Sequence, residues 1–345
     1  MQKILLIGGS GVISQHTLDA LLQNGHSVAV LRRGAEPIAN HVTFAVNRHD
    51  TAALHDALAV FRPGVVIDFA CFTPADVQGL VSALVPSTQQ VVFVSTVDVY
   101  GVPLPTLPMT EATVWVPPGR PYAAQKAHAE PALKACWDAR DIALTVVRPT
   151  YSMGQRFVIS LFDRSARNLV ARLRQGLPVP MPAPGPPGHA QGIIHPSDAR
   201  DTGRMIAMVA GASQAIGQDY TVGSPGTAMS HSAYVNLIAK VVGVTAQPVV
   251  IARDFLDRDP GVPTDSLYRE LTRFDLSYCM KKFMSHFPGF IAAPDLEERV
   301  KSYLSTFDFH TQIGLAFRVQ SVCNESSQCG EKWRRGGGQA GGLTI

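Results

Sequence analysis

Three side chains in this sequence have the types and spacing to move a proton and hold a substrate oxygen: Thr96, Tyr122 and Lys126. Tyr122 and Lys126 stand four residues apart in the run YAAQK, which on a helix puts both on one face. An ammonium beside a phenol favours the phenolate and draws its pKa down from about 10. A tyrosine tuned in this way gives or takes a carbinol proton near neutrality. Thr96 follows the apolar run Val92–Val94, and its hydroxyl can hydrogen-bond the same substrate oxygen. Tyrosine and lysine share a helix face by chance in many proteins, so the pair gains meaning only from what precedes it.

What precedes it is a glycine turn. Gly8-Gly9-Ser10-Gly11-Val12-Ile13-Ser14 sits where an apolar run becomes a helical pattern. Backbone N–H groups there, with the helix N-terminus behind them, can face a pyrophosphate. Gly8, Ser10, Gly11, Val12 and Ile13 are the expected phosphate contacts of a dinucleotide. The third small position is Ser14, which still permits close helix-to-sheet packing. At the end of the second strand an acidic residue would bind the ribose 2′-OH of NAD, but the sequence has Arg32-Arg33. Guanidinium groups favour a 2′-phosphate, so NADP is the expected cofactor, with NAD and a solvated turn as the alternatives.

The elements that position these residues follow from hydrophobic period. Lys3–Ile7, Ser27–Leu31, Val42–Val46, Val65–Phe69, Val91–Val94 and Ala143–Val147 read as strands. Helical spacing falls at Thr17–Gln23, Thr51–Phe61, Ala75–Leu84 and Tyr122–Arg140, the last with a kink expected at Pro131. Alternating apolar strands and helices imply an α/β fold, a Rossmann-type doubly wound parallel sheet with a smaller C-terminal substrate lobe. The expected division is residues 1–150 for the dinucleotide domain, with later segments returning to it, and 151–318 for the lobe. In the lobe a helix is expected at Phe162–Arg174, a Pro/Gly-rich loop at Gly176–Gly188 and a strand at Gly192–His195. Residues 319–345, polar and glycine-rich, read as a disordered tail.

Composition narrows the partners. A net charge of +3 without a Lys/Arg stripe leaves no electrostatic footprint for nucleic acid. Five cysteines, an odd number without CxxC pairing, argue against a disulfide framework and a zinc site, and no metal is expected. The start MQKILLIGG runs straight into the glycine turn, so it reads as a strand rather than a secretion signal. No apolar run of about 18 residues suggests a membrane span. A cytoplasmic enzyme acting on a small molecule is the expectation.

The segments GGSGVIS, VSTVDVYG, YAAQK, VVRPT and IIHPSDARD together resemble the extended short-chain dehydrogenase/reductase family, in its epimerase/dehydratase-like members. The resemblance spans Met1 to about Ala207, with a weaker continuation through Tyr220–Gly223 and Tyr234–Val242. It implies a Thr96, Tyr122, Lys126 active site, with Lys126 also on the cofactor ribose. It further implies cofactor contacts at Asn47, in the turn NRHD, at Ala70 and at Pro149, and a homodimer. DFACFTP, residues 68–74, and Arg32-Arg33-Gly34 are similar to an atypical branch that includes plastid stem-loop-binding proteins, and Phe72 there is expected to face substrate.

Departures from the family bear on the substrate. Where nucleotide-sugar enzymes of the family hold a diphosphate with an asparagine and an arginine, this chain has Tyr151 and Gln191. Losing charge-assisted bonds weakens a diphosphate site. Sugar dehydratases of the family follow the threonine with an Asp-Glu pair, whereas here Val97-Asp98 follows Thr96. Asp98 is open to two roles, a general acid or a carboxylate that orients its loop. Asp198 is placed to cap a helix, and His195 and Asp198 are read as structural. The leading expectation is an NAD(P)-dependent oxidoreductase acting on a carbinol or carbonyl carbon of a sugar-like or secondary-metabolite substrate. The alternatives are a nucleotide-sugar 4-epimerase or dehydratase with tightly bound NAD, and a cofactor-sensing or RNA-associated binding protein.

Overall fold

The computed structural model describes residues 1–34, 41–115, 117–138, 143–154, 158–161, 166–185, 191–258, 267–293 and 295–305. The expected tail 319–345, with Cys323 and Cys329, lies outside these residues, as does Phe162 of the expected lobe helix. The chain divides into two compact units. The first comprises 1–154, 196–227 and 278–294, and the second 155–195, 228–277 and 295–345.

The first unit is built on β1 (Lys3–Ile7), β2 (Ser27–Arg32), β3 (Val42–Ala45), β4 (Val65–Asp68), β5 (Gln90–Val94), β6 (Ala143–Pro149) and β7 (Asp219–Val222). All pairings are parallel, in the order β7-β6-β5-β4-β1-β2-β3. Both faces of the central strands are covered, so their residues form unbroken apolar runs. Leu5, Ile7, Ala29, Leu31, Val66, Val91 and Phe93 pack into one core with residues of α2 (Thr51–Phe61), α3 (Pro74–Ala83) and α4 (Pro121–Asp138). α1 (Val12–Gln23) instead packs against α5 (Ala199–Val209). Gly203 makes that approach possible, because a Cβ there would lie 2.7 Å from backbone atoms of His16 and Thr17. Asp198 caps α5, accepting the Arg200 N–H at 2.6 Å.

The strand order reverses between β1 and β4, which opens a crevice beyond their carboxyl ends, the usual ligand position in such sheets. The glycine turn and Ala70 lie there. α4 is longer than its neighbours and runs unbroken through Pro131, the site of the expected kink. The proline removes one N–H from the ladder, so only the Ala127 carbonyl loses its helical donor.

The second unit holds helices at Ala166–Arg174, His231–Val242, Arg253–Arg258 and Leu296–Ser305. Part of the expected loop 176–188 is a strand instead: Val179–Pro182 pairs in parallel with Pro248–Ile251. Val179 and Met181 alternate with Pro180 and Pro182, which lack N–H groups, a pattern that suits an edge strand. The expected strand at Gly192–His195 contracts to Ile193–Ile194, paired antiparallel with Met229–Ser230. The Asp275 carboxylate organises the approach to it by accepting the N–H groups of Gln191, Gly192 and Ile193 at 2.7, 2.7 and 2.8 Å.

Candidate active site

Lys126 is the most deeply set of the three reactive residues, 1% exposed on the buried face of α4. Its Nζ donates to the carbonyls of Cys71 and Val94, both at 2.7 Å, one beyond the end of β4 and the other at the end of β5. The ammonium also lies 4.5 Å from the Phe72 ring centre and 4.9 Å from that of Phe93. Burial draws its pKa down from 10.5 to about 8, with Asp68 opposing the shift. An ammonium has three N–H donors, so two carbonyls leave one for a further acceptor.

Tyr122, one turn earlier, is 41% exposed, and its ring centre lies 6.1 Å from that of Phe72. Phe72 therefore touches both members of the YxxxK pair. The two residues expected to pair are a buried cation and an accessible phenol with Phe72 as a shared aromatic neighbour. Thr96 ends the β5 segment and caps the 3₁₀ turn Val97–Tyr100, its Oγ1 accepting the Asp98 N–H at 3.2 Å. That bond uses an acceptor site of the hydroxyl and leaves its proton to donate. Asp98 pairs with Arg120, Nη1 to Oδ2 at 3.1 Å. The Val97 side chain, expected near substrate, is 2% exposed and serves packing.

The glycine turn fits a dinucleotide. Gly8 has φ +88°, and a Cβ there would lie 3.0 Å from Ala70 Cβ. A Cβ on Gly9 would come within 2.4 Å of Val30 Cγ1, so side chains are excluded from the cradle. Ser10 and Gly11 are exposed, and Val12 and Ile13 half-buried in the first turn of α1, where N–H groups lack helical acceptors. Ser14 does more than pack closely: its Oγ accepts the Gly11 N–H and donates to the Gly11 carbonyl, both at 2.9 Å. Arg32 and Arg33 stand at the end of β2, the first half-buried and the second exposed.

Asn47 is exposed, and its Oδ1 accepts the His49 N–H at 3.2 Å. The residue that sequence reasoning missed is its neighbour. Arg48 is 7% exposed and binds Asp68 Oδ2 and Asp76 Oδ1, each at 2.8 Å. Asp68 Oδ1 accepts the Ala70 N–H at 2.7 Å, and Asp76 Oδ2 those of Phe72 and Thr73, both at 2.9 Å. Arg48 thus ties the Asn47 turn to the loop carrying Ala70 and Phe72. The two aspartates spaced along DFACFTPAD were the available signal.

Pro149, at the end of β6, is buried, and the Tyr151 carbonyl accepts the Ser197 N–H at 2.8 Å. Gln191 belongs to the second unit, where its Nε2 donates to the Gly185 carbonyl at 3.2 Å. Arg148, also on β6, is 4% exposed and forms a two-pronged pair with Glu130 of α4 at 3.1 and 2.8 Å. It also donates to Asp219 at 2.6 Å and lies over the Trp115 and Tyr100 rings. These carboxylates hold Arg148 far above the ordinary arginine range against the cost of burial. A cavity of about 1050 Å³ beside this cluster is lined by Trp115, Trp137 and Lys134, among others, but by none of Thr96, Tyr122 and Lys126. Among the described residues no His/Cys/Asp/Glu cluster could hold a metal, and no helix is long and apolar enough to cross a membrane.

A parallel sheet with a glycine cradle at its switch point, and a Tyr-x-x-x-Lys helix beside a threonine turn, define a dinucleotide-dependent enzyme. The NAD dependent epimerase/dehydratase family matches residues 4–78 and 75–223, and the chain belongs to that family. It is 33% identical over 148 residues to 2′-dehydrokanamycin reductase of Streptomyces kanamyceticus, covering 42% of this chain and 41% of that protein. The match thus spans about two fifths of that relative's length. Among solved structures, the UDP-glucose 4-epimerase of Thermus thermophilus, in complex with NAD, superposes with TM-score 0.67 at 21% identity, covering 90% of this chain and all of that one. The UDP-N-acetylglucosamine 4-epimerase of Bacillus cereus gives 0.69 at 15% identity, covering 91% and 99%. The matching family is described as NAD dependent, and the superposed Thermus thermophilus enzyme holds NAD.

Proposed function

We propose that this protein is a reductase that prefers NADPH and reduces a carbonyl on a sugar-like substrate to a carbinol. The observation that carries the reading is Lys126: a cation buried at the head of β4 and β5, one turn from Tyr122, with one N–H left for a ribose hydroxyl. When bound, the nicotinamide supplies the hydride. Tyr122 gives its phenol proton to the carbonyl oxygen, and being accessible it regains a proton from solvent. Thr96 donates a hydrogen bond to the same oxygen. The Lys126 charge stabilises the phenolate left on Tyr122.

The resemblance to a reductase of a dehydro-aminoglycoside supports net reduction and a polar, sugar-like substrate. Tyr151 and Gln191, in place of the family's diphosphate-holding residues, support a substrate without a nucleotide diphosphate. Arg32 and Arg33 support the 2′-phosphate. The test is NADPH oxidation with 2′-dehydrokanamycin as trial substrate. Tyr122→Phe should lower kcat by about 10²–10⁴-fold, and an unchanged kcat overturns the assignment. Protein that purifies with dinucleotide bound, and interconverts sugar epimers without consuming NADPH, would instead be an epimerase.

A further inference from the structure

We propose that Arg120 is a positioning residue for Tyr122: its ion pair with Asp98 clasps the first turn of α4 to the turn that carries Thr96. The inference rests on the acid/base reading of Tyr122 above. Arg120 Nη1 lies 3.1 Å from Asp98 Oδ2, with the two side chains 11% and 6% exposed. Arg120 stands two residues before Tyr122, and its carbonyl accepts the Ala124 N–H at 2.8 Å, which makes it the gate of the helix. Asp98 stands two residues after Thr96, and its N–H binds the Thr96 hydroxyl. One ion pair therefore joins the two backbone turns that present the reacting hydroxyls.

The clasp acts where α4 is weakest. The first turn of a helix has N–H groups without helical acceptors and frays most easily. Tyr122 lies in that turn, whereas Lys126 is anchored by two carbonyls one turn further on. Fraying the turn would move the phenol away from its place beside Phe72 while leaving Lys126 anchored. The pair sits among aromatic side chains: the buried Tyr278 phenol, pushed well above its ordinary range by burial, lies in the fields of Asp98, Tyr151, Tyr100 and Arg120. Both side chains are nearly buried, so deleting either one removes a short charge contact that little solvent replaces. The clasp gives Asp98 a loop-orienting role through its Oδ2, which lies against Arg120.

The test needs no physiological substrate. Ultraviolet difference titration of the NADP⁺-loaded protein, with the Tyr122→Phe curve subtracted, isolates the Tyr122 phenolate. Arg120→Met and Asp98→Asn should both raise its midpoint by about 1 pH unit, tenfold in ionisation constant. Charge alone would move the two variants in opposite directions, since losing a cation raises a phenol pKa and losing an anion lowers it. Arg120→Lys and the exchanged pair Asp98→Arg with Arg120→Asp should return the midpoint to within a few tenths of the parent value, and they serve where a single variant fails to fold. Opposite shifts, or none, overturn the clasp while leaving Tyr122 as acid. A parent phenol titrating near 10 overturns the clasp too, and Tyr122→Phe turnover then decides the acid/base reading separately.

Discussion

Two buried cations, Lys126 on α4 and Arg148 against it, have opposite surroundings. Arg148 is met by the carboxylates of Glu130 and Asp219, which hold it far above its ordinary range. Lys126 is met by two neutral carbonyls and two aromatic rings, and burial draws it down to about 8. A cation paired with anions keeps its charge at every ordinary pH and works as a strut. One hydrogen-bonded to neutral carbonyls, with Asp68 acting only through its field, is poised to titrate and has bonding capacity to spare. The same helix carries Glu130 to the first and Lys126 to the second, one turn apart, so the strut helps to set the reactive group.

Replacing each group tests this division. Lys126→Met should lower kcat by about 10²–10³-fold in NADPH oxidation, while the urea midpoint moves little. Relief of a buried charge is offset there by two carbonyls left without donors. A large loss of stability with retained turnover would break the comparison. Glu130→Gln should show the reverse weighting. Stripping Arg148 of its two-pronged partner costs about 3 kcal/mol, read by urea denaturation, and a near-neutral result would mean that Arg148 is not a strut.

The arginines at the end of β2 add a third setting, at the margin of the site. Changing Arg32 and Arg33 together to serine should raise the KM for NADPH about tenfold, since charge-assisted bonds to phosphate are lost, and leave that for NADH nearly unchanged. Equal effects on both cofactors would remove the 2′-phosphate assignment. The last effect lies in the pH dependence of stability. Between about 8 and 10.5 the unfolded chain holds more protons at Lys126 than the folded protein does. Stability carried by this residue is therefore lowest below pH 8 and rises as pH climbs through that window. Measured against Lys126→Met at pH 7.5 and 10, the parent should gain about 2 kcal/mol, whereas a constant difference would place Lys126 among the paired cations.

Much of the first unit was legible because its signals are local. Apolar runs located β1 to β6 within one or two residues of their ends, and Asp198 was read as a helix cap that the structure bears out. The strand at Val179–Pro182 was missed because alternating prolines mimic a loop when the partner at Pro248–Ile251 is out of view. The same blindness hid Arg48 and Arg120, charged residues in turns that resemble solvated surface until their aspartates arrive.

By itself the sequence determined a parallel α/β sheet, a glycine turn before the first helix, and a tyrosine and lysine on one face of a later one. Helical and strand periods, and the steric freedom of glycine, are properties of a few consecutive residues. Only the tertiary structure decided which charges are satisfied: Lys126 by carbonyls 55 and 32 residues away, Arg48 by Asp68 20 residues away, and Arg148 by Asp219 71 residues away. Whether a buried cation is a strut or a reactive group depends on what the fold brings within about 3 Å of it, and no local pattern carries that information.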